Sequence, residues 1–249
     1  MEMTQTVPAP FIPETRSDKQ PQGKKLPAMV LIVYCALFYG TWTLFELFIK
    51  PLINSLDAHP ALIQLLKSGV IKNLVWTIPA LLLVRKYSDS VNVGLKEMFA
   101  SKVDMRLTTT VFLLCTALLL VPKYVRGGGL ALSEDFTICT AIGYLFVGIT
   151  EESVFRGWLL NVTVGSDTGD VISKRRTWLL MLLNGVMFVC IHIPVWSTTG
   201  KLGESFASFG FLSIIAVGMI FGWLFLRTRN LLVPVVLHMY YDILIDLFV

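Results

Sequence analysis

The chain has 249 residues; 55% are apolar, 15% are charged, the mean hydropathy is +0.69 and the formal net charge is +4. A soluble domain carries about 25% charged residues, so the composition excludes an ordinary water-soluble fold and points to a membrane protein. The small positive balance marks no nucleic-acid partner. Its placement along the connections matters more, because Lys and Arg near helix ends set orientation.

In chain order, residues 1–27 are polar and rich in Pro and Gln, which predicts a disordered cytoplasmic tail. A signal peptide would have a shorter apolar core that starts earlier. Apolar runs then appear at about 28–48, 69–84, 107–122, 137–160, 178–197, 206–226 and 231–249. They predict seven spans, the second and third short, and the stretch around 53–66 adds a partial helix. No alternating pattern of barrel strands is present, and backbone groups in lipid must bond within their own segment. The expected fold is therefore all-α, a polytopic domain over 28–249 built as a bundle of about seven to eight transmembrane helices. Cys35, Cys115, Cys139 and Cys190 lie in apolar runs without metal-type spacing and read as buried core thiols.

The connections carry the charge asymmetrically. Arg16, Lys19, Lys24, Lys25, Arg85, Lys86, Lys96, Lys102, Arg106, Lys174, Arg175, Arg176, Arg227 and Arg229 give 14 on one side. Lys50, Lys67, Lys72, Lys123, Arg126 and Lys201 give six on the other. The bias predicts a multi-pass protein with its amino terminus in the cytoplasm.

Three apolar runs hold strongly polar side chains. In TAIGYLFVGITEESVFRGWLL, Glu151 and Glu152 are followed by Arg156. A central Asp, Lys or Arg costs roughly 2.5–3.5 kcal/mol on insertion scales, so three charges in one span need a reason. Glu152 and Arg156 are four apart, within about 40° on a helix, and suit an ion pair. Glu151 lies some 140° round from Arg156 and is left to face elsewhere. Read structurally, the segment holds an ion pair and a second glutamate bonded to a neighbouring helix.

The fifth run contains FVCIH, in which Phe188 and His192 share a face. A membrane histidine also serves simply as an interhelical hydrogen-bond partner. The last run contains HMYYD, where Asp242 sits one turn from His238 and can orient or charge-stabilise the imidazole, or merely close the bundle with a salt bridge. Taken together, the groups suit amide or ester hydrolysis. Glu151 would deprotonate a water that His192 also holds, while His238 and Asp242 face the oxyanion.

These residues resemble a known family. EESVFR matches an EExxxR signature, FVCIH matches FxxxH, and HMYYD matches the Hxxx(N/D) element of the CAAX protease and bacteriocin-processing (CPBP, or Abi) membrane proteases. That family includes the type II CAAX prenyl endopeptidases. The stretch FGWLFLRTRNLLVPVVLHMYYD looks like its last two helices, so the resemblance covers about residues 137–249. It implies an intramembrane endopeptidase using Glu151, His192, His238 and Asp242, with Glu152 and Arg156 as an ion pair and Phe188 as motif support. It further implies a plasma-membrane location, a lipid bilayer as surroundings, and a membrane-associated peptide or protein as substrate, for example in bacteriocin or signal-peptide processing or self-immunity. Family members of the prenyl-protein type carry Asn where Asp242 stands, and an ionised Asp cannot donate to an oxyanion.

The family is often labelled metalloprotease, yet glutamate-activated water needs no metal. No cofactor is expected here; if zinc is bound, Glu151, His192, His238 and Asp242 form the candidate set. Other classes remain open from the residues alone. Two membrane histidines suit haem ligation, buried carboxylates and histidines suit a proton-coupled transporter, and the same motifs suit a non-catalytic immunity or scaffold protein.

Overall fold

A computed structural model describes residues 26–165 and 173–248. The expected tail over 1–27 therefore lies outside the described residues, apart from Leu26 and Pro27. Among the described residues the regular elements are helices, and one backbone bridge pairs Leu132 with Phe248.

Six helices are long and apolar enough to cross a membrane: α1 (Ala28–Asn54), α2 (Pro60–Lys86), a third over Met105–Val125, and those over Ile138–Gly165, Lys174–Thr198 and Gly210–Thr228. With the shorter helices included, α3 is Leu95–Ala100, α4 is Met105–Gly127, α5 is Ile138–Gly165 and α6 is Lys174–Thr198. Then follow α7 (Leu202–Ala207), α8 (Gly210–Thr228) and α9 (Leu232–Leu247). The protein is an all-α polytopic bundle.

The ends of these helices follow from local chemistry. Asp104 accepts from Leu107 N at 3.1 Å to start α4, and Thr137 accepts from Thr140 N at 3.3 Å to start α5. Pro60 opens α2 with its missing N–H among the free donors of the first turn, and His59 Nδ1 accepts from Ala61 N. In α1 the turns widen over Phe45–Ile49, and in α2 over Leu65–Ile71 and Asn73–Thr77. Pro51 and Pro79 follow the first and last of these stretches. Each proline withholds a donor from the carbonyl four residues back, so the preceding turn loosens.

The α2 boundary corrects the sequence reading. The partial helix expected around 53–66 is divided between the end of α1 and the start of α2, which begins nine residues before the apolar run at 69. Lys67 and Lys72, read as connection charges, are therefore inside a helix and buried. The thiols need correction as well. Cys115 is buried, but Cys35, Cys139 and Cys190 are only partly so, because they stand on helix flanks.

At the centre lies α5, whose residues 150–162 are buried on every side. A helix apolar or paired all round is the signature of a bundle core. α9 rests directly on it: a Cβ on Gly148 would meet Met239 Cγ at 2.8 Å and the Val235 carbonyl at 3.1 Å. α8 and α6 approach in the same manner, with the Ile215 carbonyl 3.0 Å from where a Cβ on Gly185 would be. The α1–α2 hairpin covers another side of α5, with Phe38, Trp42, Trp76 and Phe155 in one apolar cluster. The outer surfaces of α1 and α4 expose Ile32, Leu37, Phe48, Leu113 and Leu118, as lipid-facing helices do.

One end of the bundle is tied by side chains. Asn161 on α5 binds the backbone of Val93 through both its amide groups, at 2.7 and 2.8 Å. Arg229, held at φ 54 after α8, bonds the Asn92 carbonyl at 2.7 Å and pairs with Glu97 on α3. These contacts fix the α2–α4 connection beneath α5.

Candidate active site

The polar residues of α5 are sealed. Glu152 and Arg156 are each 0% exposed, and Glu151 is 7% exposed. Arg156 Nη1 donates to Glu152 Oε1 at 2.8 Å, and Nη2 donates to the Gly218 carbonyl of α8 at 2.9 Å. The guanidinium also lies over the rings of Phe188 at 4.8 Å and Phe221 at 5.4 Å. A buried cation is tolerable when its charge is paired and its donors are used, and a planar guanidinium meets both needs at once. The α5 turns widen over Ser153–Leu160, immediately after the two glutamates. Such insertions recur at functional sites.

α9 brings His238 against this pair. Its Nδ1 is 2.8 Å from Glu152 Oε1, so one carboxylate oxygen serves both the arginine and the imidazole. On the other side of the ring, Nε2 is 3.7 Å from Glu151 Oε2 and 3.5 Å from Asp242 Oδ2. Sequence spacing assigned the orientation of His238 to Asp242. The structure gives the shorter bond to Glu152, because a neighbouring helix offers a straighter approach to Nδ1 than a residue one turn along.

His192 stands apart by one ring. α6 breaks at Ile191–His192, where Pro194 can no longer bond the carbonyl four residues back, and the imidazole turns at that break. His192 Nδ1 lies 3.2 Å from the Phe188 carbonyl. The Phe188 ring contacts both imidazoles edge-on, 5.2 Å from His192 and 5.8 Å from His238 between centroids. Glu151, His238 and Asp242 thus meet directly, while His192 joins them across Phe188 and within electrostatic range of His238 and Asp242.

This arrangement bears on the alternatives. Both nitrogens of His238 face carboxylates and an aromatic ring separates it from His192, so the two do not form an axial pair for a haem. Zinc requires donors converging at about 2.0–2.2 Å. Among the described residues, no three His, Cys, Asp or Glu side chains are gathered to hold a metal, and the set of Glu151, His192, His238 and Asp242 does not fit one.

A second charged group adjoins the site and was missed as such in the sequence. Glu46 of α1 bonds Lys50 at 2.5 Å and lies 3.5 Å from Lys72 of α2. The Lys72 ammonium sits over the Trp42 ring at 4.3 Å, and Trp42 Nε1 donates to the Ile191 carbonyl, next to His192. The criterion that singled out Glu151, a charge within an apolar span, would have found them. The late start assigned to the second span hid it.

Residues 133–244 match the family model described as "Type II CAAX prenyl endopeptidase Rce1-like". No curated protein and no solved structure matches the chain.

Proposed function

With residues 133–244 belonging to the Rce1-like family of type II CAAX prenyl endopeptidases, a family of membrane proteases, we propose that this chain cleaves a peptide bond by Glu151-activated water. The observation that carries the reading is the meeting of Glu151 and Asp242 at Nε2 of His238, inside a bundle where each charge would otherwise be costly.

In the proposed reaction, the Glu151 carboxylate takes a proton from a water that His192 also holds. The hydroxide adds to the scissile carbonyl carbon, and its π electrons move to the oxygen. His238 is the donor towards that oxyanion. Its Nδ1–H is directed at Glu152, and a proton on Nε2 points to the side where Glu151 and Asp242 lie. A placed donor of this kind is worth about 2.7–4 kcal/mol. As the tetrahedral intermediate collapses, the C–N bond breaks and Glu151 passes its proton to the leaving amine. Arg156 keeps Glu152 ionised and in place, and Asp242 balances the ring's charge. No step uses a metal.

The substrate is a membrane-associated peptide or protein. A prenylated C-terminal peptide and a leader-bearing bacteriocin or signalling peptide both fit this description. The protein is read as a multi-pass component of the plasma membrane with its amino terminus in the cytoplasm.

The test is cleavage of a fluorescence-quenched prenylated peptide by the purified protein. Glu151→Gln and His192→Ala are expected to lower turnover by at least about a hundredfold while the protein still inserts and purifies. Retained turnover in either variant overturns the mechanism. Incubation with o-phenanthroline is expected to leave the rate unchanged; progressive loss that zinc restores would point to a metal-dependent reaction instead.

A further inference from the structure

The charged group on the α1–α2 hairpin is not used by the reaction above. Lys50, Lys67 and Lys72 surround one carboxylate, Glu46. Lys50 and Lys72 bond or face its two oxygens, while Lys67 Nζ is held by the neutral Asn54 side chain at 3.0 Å. Lys67 and Lys72 are 8% and 7% exposed, so neither ammonium is freely solvated. Lys50 is about a third exposed and opens the group towards one end of the helices.

Three cations around one anion leave a positive excess in an apolar setting, and such an excess is costly unless an anion completes it. Its position gives that anion a source. The α2 turns carrying Lys67 and Lys72 pack on the Ile138–Glu152 part of α5, where Gly69 lies against the Phe146 ring. Lys72 is close enough to act electrostatically on both Glu151 and His192, and its ring partner Trp42 is bonded beside His192. A peptide laid across Glu151 would therefore run one of its ends towards the lysines.

We propose that Lys67 and Lys72 form a subsite for the free carboxylate of the substrate's C-terminus, and so select peptides cleaved a few residues from their end. This rests on the protease reading for the identity of the ligand, but not for its test. The carboxylate accepts from Lys67 and Lys72, while Glu46 anchors Lys72 and Lys50 and prevents a tighter, non-productive hold.

The experiment measures binding rather than turnover, using Glu151→Gln protein in detergent and a fluorescent prenylated peptide in two forms, free acid and C-terminal amide. The acid is expected to bind at least about tenfold more tightly than the amide, as loss of a charge-assisted bond implies. Lys67→Met should abolish that preference and Lys67→Arg should restore it. Lys67 is chosen because its replacement leaves the Glu46–Lys72 pair intact, and a thermal melt of each variant checks that it folds. Equal binding of acid and amide, no binding of either, or a preference that survives Lys67→Met overturns the subsite. The protease reading fails separately, when the unsubstituted protein cleaves neither form.

Discussion

Two groups of buried charges lie side by side in this bundle, and they are built on different principles. The group on α5 and α9 is closed. Glu152 shares one oxygen between Arg156 and His238, the guanidinium spends a second bond on the Gly218 carbonyl, and both partners of the ion pair are wholly buried. The group on α1 and α2 is open: one carboxylate faces two ammonium groups, a third leans on an amide, and Lys50 reaches solvent. Arginine, with its fixed fork of donors, suits the first role; lysine, a single charge on a flexible stem, suits the second. The contrast teaches that burial alone does not identify the machinery. A saturated network holds catalytic groups still, whereas an unsaturated one beside it is equipped to meet something else.

The largest expected effect breaks the closed group. Arg156→Ala leaves Glu152 without its cation in a sealed position, at a cost of about 3–5 kcal/mol, read as a lower yield of folded protein and a lower melting temperature in detergent. Arg156→Lys should recover only part of this, since one ammonium cannot make both directed bonds. A melt unchanged by Arg156→Ala would remove the ion pair's structural role. Glu46→Gln should cost less, about 1.5–3 kcal/mol, because Lys72 keeps the Trp42 ring and Lys50 turns to water. Gly148→Ala presses on the Val235 carbonyl and should destabilise by about 1–3 kcal/mol, with a loss of turnover that tracks the displaced α9. Lys50→Ala is expected to be nearly silent, within about 0–1 kcal/mol; a large effect there would show that the two groups are less different than they look.

Much of this was legible beforehand, for identifiable reasons. Lipid leaves few options for backbone hydrogen bonds, so the helical bundle followed from hydropathy alone. Four-residue spacing on one helix is a local property, and Glu152–Arg156 and His238–Asp242 could be paired from it. What spacing cannot supply is contact between helices. That Glu152, and not Asp242, makes the short bond to His238, and that Phe188 stands between the two imidazoles, depends on how α5, α6 and α9 are packed. The extent of α2 was obscured for another reason. Lys67 and Lys72 depress the hydropathy of its first half, so a helix beginning at Pro60 looked like a connection followed by a short span.

The contact at Gly148 has a mechanical consequence. With two backbones touching where α5 meets α9, the glutamates and His238 are mounted on what is in effect a single strut, and neither rod can slide without the other. A peptide entering between them would have to prise apart the stiffest seam in the molecule. The yielding wall is the opposite one, α6, already interrupted at His192, so the door to this chamber and one of its working side chains belong to the same hinge.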